Sequence, residues 1–161
     1  MNNISATKKG IIISILIILV SVICFYILHL PENGNSQYVV SLIFIAGLIW
    51  VNYSFKLKNA EANFKAYFSE GFKAFIVVTL FMAVYTFIFY KLNPQILENG
   101  ILANNILIQK EGNRTAIEIQ ENANKMRSIF MPMMLSINTI KYLFLGSLIS
   151  VVSAGFLSQK K

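Results

Sequence analysis

The sequence contains no aspartate: its seven acidic residues are all glutamate, set against 14 lysines and arginines and one histidine. Catalytic and binding sites that depend on aspartate are thereby excluded. Its one cysteine, Cys24, can form neither an intramolecular disulfide nor a multi-cysteine metal site. Charge of either sign is scarce. Charged residues make up 13% of the chain, well under the roughly 25% of soluble domains, while 56% is hydrophobic. At 161 residues the chain has about one domain's length, too little for a soluble core to hide that much apolar surface. No glycine-rich phosphate loop, HExxH pair, CxxC pair or Ser/His/Asp set can be assembled. No cofactor or metal is expected, and no enzymatic activity.

What is present is long hydrophobic runs. From Gly10 to Leu30 about 21 residues carry no charge, enough to cross roughly 30 Å of hydrocarbon at about 1.5 Å per residue. A secretory signal peptide is the rival reading, since Lys8 and Lys9 precede the run. The run exceeds the usual ~7–15 residues of a signal core, and no small-x-small cleavage pattern follows. The loop Pro31 to Gln37 gathers Pro, Gly and Asn and predicts a tight turn. A second uncharged run spans 38–55, with Tyr38, Trp50 and Tyr53 near its ends, where aromatic rings favour the headgroup level.

Between Lys56 and Phe75, aromatic residues recur at three- and four-residue spacing, which predicts an interfacial helix running into a third span over 72–90. Glu61–Lys65 and Glu70–Lys73 are spaced as helical ion pairs that support a helix and imply no chemistry. Asn93-Pro94 reads as an N-cap followed by proline in the first turn. Leu97, Ile101, Ile108, Ile119 and Met126 then fall in a narrow stripe interrupted at Gly112 and Asn113. This predicts a pair of weakly amphipathic helices over about 93–127, with a mobile polar loop as the alternative. The fourth span is expected near 138–158. Upstream of the apolar run Tyr142 to Leu157 lie Pro132, Asn138 and Lys141, so a helix from about Ser128 to Ser158 is expected to kink at the proline and surface near Lys141. The expected fold is all-α: one polytopic membrane domain over 1–161, with four transmembrane helices and amphipathic helical segments between the third and fourth.

Basic residues orient the spans. Lys8, Lys9, Lys56, Lys58, Lys65, Lys73, Lys160 and Lys161 fall on one side, eight in all. The six on the other side, Lys91, Lys110, Arg114, Lys125, Arg127 and Lys141, lie mostly in a long loop, which carries little topology signal. Both termini are therefore expected in the cytoplasm of a cell with a bacterial-type inner membrane. Lys8, Lys9, Lys160 and Lys161 are membrane-anchor candidates. The net charge of +7 has no basic, aromatic-interleaved stripe beside it, so the lipid bilayer rather than nucleic acid is the expected partner.

Within the spans the polar residues are Ser14, Ser21, Ser41, Asn52, Thr79, Thr86, Asn138, Thr139, Ser147, Ser150 and Ser153. They can line a solute path, or bond helix carbonyls and neighbouring helices. Gly146, Ser150 and Ala154, spaced four apart, form a small-xxx-small stripe and are helix-packing candidates. His29 beside Glu32 is a conceivable titrating pair, though an interfacial His next to a turn is more often simply solvated. Asn113-Arg114-Thr115 matches a glycosylation sequon, a frequent chance triplet.

The layout resembles the DUF4199 family of uncharacterised bacterial membrane proteins, common in Bacteroidetes. The likeness rests on four stretches: Lys8 to Gly10, YFSEGFKAF from Tyr67 to Phe75, NPQILE from Asn93 to Glu98, and the closing SLISVVSAGFLSQKK. The resemblance implies a four-span membrane protein of unknown function and brings no catalytic residues. The expected role is a structural or accessory component that packs through its helices with itself or with a larger membrane complex. The alternative is a small transporter or oligomeric pore.

Overall fold

The computed structural model describes residues 4–30, 34, 36–112 and 114–159, which form helices and short connections with no strand among them. Among the described residues five α-helices follow in order: α1 Ala6–Val22, α2 Ser36–Lys56, α3 Phe64–Leu92, α4 Gln95–Glu111 and α5 Ala116–Ser158. Local chemistry sets their ends. Ser5 caps α1, its hydroxyl accepting from the Lys8 N–H. At the far end α1 widens into a π-helical turn over Ile23–Ile27, where the Leu28 N–H reaches back five residues to the Ile23 carbonyl. His29 follows at φ 51°, a left-handed position that stops the helix.

Asn63 caps α3, its Oδ1 accepting from the Ala66 N–H at 3.0 Å. Glu61 therefore lies in the turn before the helix, and its expected pairing with Lys65 along one helix does not arise. Glu70 and Lys73 do pair, at 2.9 Å. Asn93 also departs from its expected role: Pro94 occupies the cap of α4, while the Asn93 amide turns back to donate to the Phe89 carbonyl at 2.8 Å. Gly112, at φ 68°, ends α4, as glycine without a Cβ readily does. Thr115 and Glu118 then start α5 with a capping box. The Thr115 N–H donates to the Glu118 carboxylate at 2.7 Å, and the Glu118 N–H donates to the Thr115 hydroxyl at 3.3 Å.

The largest difference from expectation is α5. The amphipathic segment and the fourth span are one helix of 43 residues, unbroken through Pro132 and Lys141. At about 1.5 Å per residue it is some 64 Å long, twice the roughly 30 Å of bilayer hydrocarbon. Proline removes one N–H from the helix interior, and α5 carries Pro132 there without ending.

Two compact units divide the chain, Met1–Met82 with Thr139–Lys161, and Ala83–Asn138. In the first, α1, α2, the start of α3 and the end of α5 pack around Ile17, Phe44, Leu48, Val51, Tyr67, Phe75 and Val78, all buried. Phe44 meets Tyr142 edge to face at 5.2 Å, and Phe55 meets Tyr67 at 5.4 Å. In the second, Tyr90 packs edge-on against Phe130 at 5.0 Å, and Ile101, Ile119 and Ala123 are buried. The stripe positions Leu97, Ile108 and Met126 are half-buried, so the period read from the sequence points inward.

Outward-facing residues are as apolar as the core. Leu42, Leu80, Phe144 and Phe156 are 64%, 62%, 67% and 72% exposed, one on each of two helices and two on α5. Water penalises such a surface heavily, and hydrocarbon does not. Among the described residues four helices are long and apolar enough to cross a membrane: Ala6–Ile27, Ser36–Lys56, Phe64–Leu92 and Ala116–Ser158. The protein is an all-α, multi-pass membrane protein.

Candidate functional site

Four hydroxyls at membrane depth are held by their own helices. Ser14, Ser21, Ser41 and Thr79 each return a hydroxyl to the carbonyl four residues earlier, at 2.8 Å in every case. Such a bond spends the hydroxyl's one proton within its own helix and leaves it only acceptor capacity for a neighbour.

Asn52 behaves differently. It is fully buried on α2, and its amide nitrogen donates to the Ser153 hydroxyl of α5. Its carbonyl oxygen, and the hydroxyl of the equally buried Ser150, have no hydrogen-bond partner among the described residues. Gly71 of α3 completes the joint. A Cβ there would stand 2.6 Å from the Ser150 Oγ and 3.2 Å from the Asn52 Nδ2, so only a glycine admits both groups. Three helices thus meet at one polar point through Asn52, Gly71, Ser150 and Ser153.

The Gly146, Ser150 and Ala154 stripe is buried along its whole length. A Cβ on Gly146 would lie 2.6 Å from the Phe75 Cγ, so α5 sits directly on α3 there. The stripe faces this chain's own helices, and a partner protein would have to use another face. Other close approaches have the same cause: Gly10 abuts the Ala74 carbonyl, and Gly47 abuts Ile13.

Of the anchor candidates, Lys8 is exposed, while Lys9 is drawn inward. Lys9 is only 9% exposed, its ammonium donates to the Ser54 hydroxyl, and it lies 5.5 Å from the centre of the Trp50 ring. This cation–π contact ties α1 to α2. Lys160 and Lys161 lie outside the described residues, as do Glu32 of the His29 pair and Asn113 of the sequon. The His29 ring bonds the nearby Ile27 carbonyl at 3.1 Å. Among the described residues no group of three or more His, Cys or Glu could hold a metal ion.

In the second unit Arg127 grips Glu98 with two parallel bonds, Nε to Oε1 at 2.9 Å and Nη2 to Oε2 at 2.7 Å. These bonds hold the Glu98 carboxyl below its ordinary value of 4.5. Asn104 contributes an amide contact to the Met126 sulfur at 3.7 Å. These contacts join α4 to the first half of α5.

Apolar helices that turn hydrocarbon-compatible surface outward and keep a small polar joint inside define a polytopic α-helical membrane protein. The chain belongs to the DUF4199 family, proteins of unknown function, whose family model matches residues 8–159. No curated protein and no solved structure matches the chain.

Proposed function

We propose that this protein is a structural or accessory component of a bacterial-type inner membrane, non-catalytic, with both termini on the cytoplasmic side. The observation that carries the reading is the use of its polar groups. Ser14, Ser21, Ser41 and Thr79 bond their own helices, and Asn52 bonds Ser153 across two. Chemistry at membrane depth usually requires ionisable groups, which are costly there and kept for a purpose. The orientation rests on the lysines flanking the short loops at the end where α1 starts and α2 finishes. With the small-residue stripe buried inside, the surface offered to another protein is the second unit. There Leu102, Leu107 and Ile117 are 61%, 61% and 73% exposed.

The test is native electrophoresis of gently solubilised membranes carrying a tagged chain. A discrete complex larger than the monomer is expected, and it should be lost when Leu102 and Leu107 are replaced by Ser. A monomer with unaltered migration overturns the reading. The second reading, a small transporter or pore, draws on the unpartnered Asn52 Oδ1 and Ser150 Oγ. Solute flux into liposomes above that of empty vesicles would establish it in place of the first.

A further inference from the structure

A groove of about 360 Å³ runs between α2 and α5 in the first unit, within the roughly 300–1,000 Å³ of ligand sites. Ile49 and Tyr53 form one wall, and Leu148, Val152 and Phe156 the other. Ser153 also borders it, but its hydroxyl accepts from Asn52, and the groove presents only carbon. A polar solute finds no partner there, whereas a hydrocarbon chain loses nothing by entering.

Charge at the mouth narrows the choice. Ile49, Tyr53 and Lys56 are spaced four and three apart and so share one stripe of α2. Lys56 stands about 5 Å beyond Tyr53 along the helix, the step from acyl region to headgroup. It has no acidic partner among the described residues. The surrounding segments add Lys8, Lys9, Lys58, Lys65 and Lys73 against Glu61 and Glu70 only. A second copy in the same membrane orientation would bring an identical set of lysines to the same level, where like charges repel.

We propose that the groove holds one acyl chain of an anionic glycerophospholipid whose phosphate rests at Lys56. The test reconstitutes the protein into phosphatidylcholine vesicles containing a minority of phosphatidylglycerol, re-extracts it in mild detergent and measures the retained lipids by mass spectrometry. Phosphatidylglycerol should be enriched about fivefold over the vesicle ratio, the factor that one lysine–headgroup attraction supplies. Lys56→Gln should remove the enrichment, and Val152→Phe, which fills the groove, should reduce total retained lipid. Circular dichroism and size-exclusion profiles confirm that each variant is folded. Retention at the vesicle ratio overturns the proposal, as does a folded Val152→Phe that keeps its lipid. A dimer that Val152→Phe abolishes and Lys56→Gln leaves intact would assign the groove to a second copy instead.

Discussion

Phe75 fills the space that a side chain on Gly146 would need: a Cβ at the glycine would lie 2.6 Å from the ring's Cγ and 2.7 Å from its Cβ. Phe75 is 1% exposed and cannot swing aside into solvent. Gly146→Ala is therefore expected to destabilise the fold by about 1–3 kcal/mol, the usual cost of overpacking. Gly155, on the same helix with nothing within 4 Å, is the control. There alanine should be neutral or stabilising by up to about 1 kcal/mol, from helix propensity alone. Thermal unfolding of both variants in one detergent separates the two effects.

The Asn52–Ser153 bond predicts a measurable coupling between α2 and α5. Asn52→Ala, Ser153→Ala and the double variant form a cycle. Its interaction energy should fall near 0.6 kcal/mol and not exceed about 1.7, the range for polar pairs between membrane helices. Additive losses would mean that the bond contributes nothing to stability.

Acid should loosen α4 from α5. The bonds from Arg127 hold the Glu98 carboxyl below 4.5, so the pair's contribution is fully present above 4.5 and is lost as pH falls through the lowered folded value. Amide exchange over Gln95–Glu111 should accelerate in that acid window. Glu98→Gln should exchange at a rate independent of pH there, once intrinsic chemical exchange is divided out. Both side chains are half-exposed, so added salt should weaken the effect.

At the start of α5, Thr115→Ala removes a hydroxyl that receives the Glu118 N–H and contacts its carboxylate at 3.1 Å. A loss of about 0.5–2 kcal/mol is expected, seen as faster amide exchange confined to the first turns after Ala116. Thr115→Ser should restore protection, and exchange unchanged in Thr115→Ala would remove the capping box from the account.

Hydrophobic runs made most of the fold legible in the sequence, because a membrane helix must satisfy its backbone internally and face lipid with apolar side chains. The expected spans over 10–30, 38–55 and 72–90 lie within, or within a few residues of, the helical segments 6–27, 36–56 and 64–92. The fourth, expected over 138–158, lies within α5, whose upstream extension to Ala116 is obscured in the sequence because Pro132 and Lys141 are penalised as local residues. The capping box was in plain view as Thr115-Ala-Ile-Glu118 but lay under the chance sequon. Small-residue spacing exposed the close-packed face of α5. It carries no information about whether the facing helix belongs to the same chain. The role of Gly71 is not legible locally, because it depends on Asn52 and Ser150, 19 residues before it and 79 after it in the sequence.

The Lys9–Trp50 contact gives the molecule a built-in optical probe. Trp50 is the only indole in the chain, and its ring carries the ammonium of the first helix at 5.5 Å. Its emission should shift in wavelength when α1 lifts from α2, and Lys9→Met should mimic that shift without moving the helix. Docking of the first helix during membrane insertion can then be followed in real time, with no label attached.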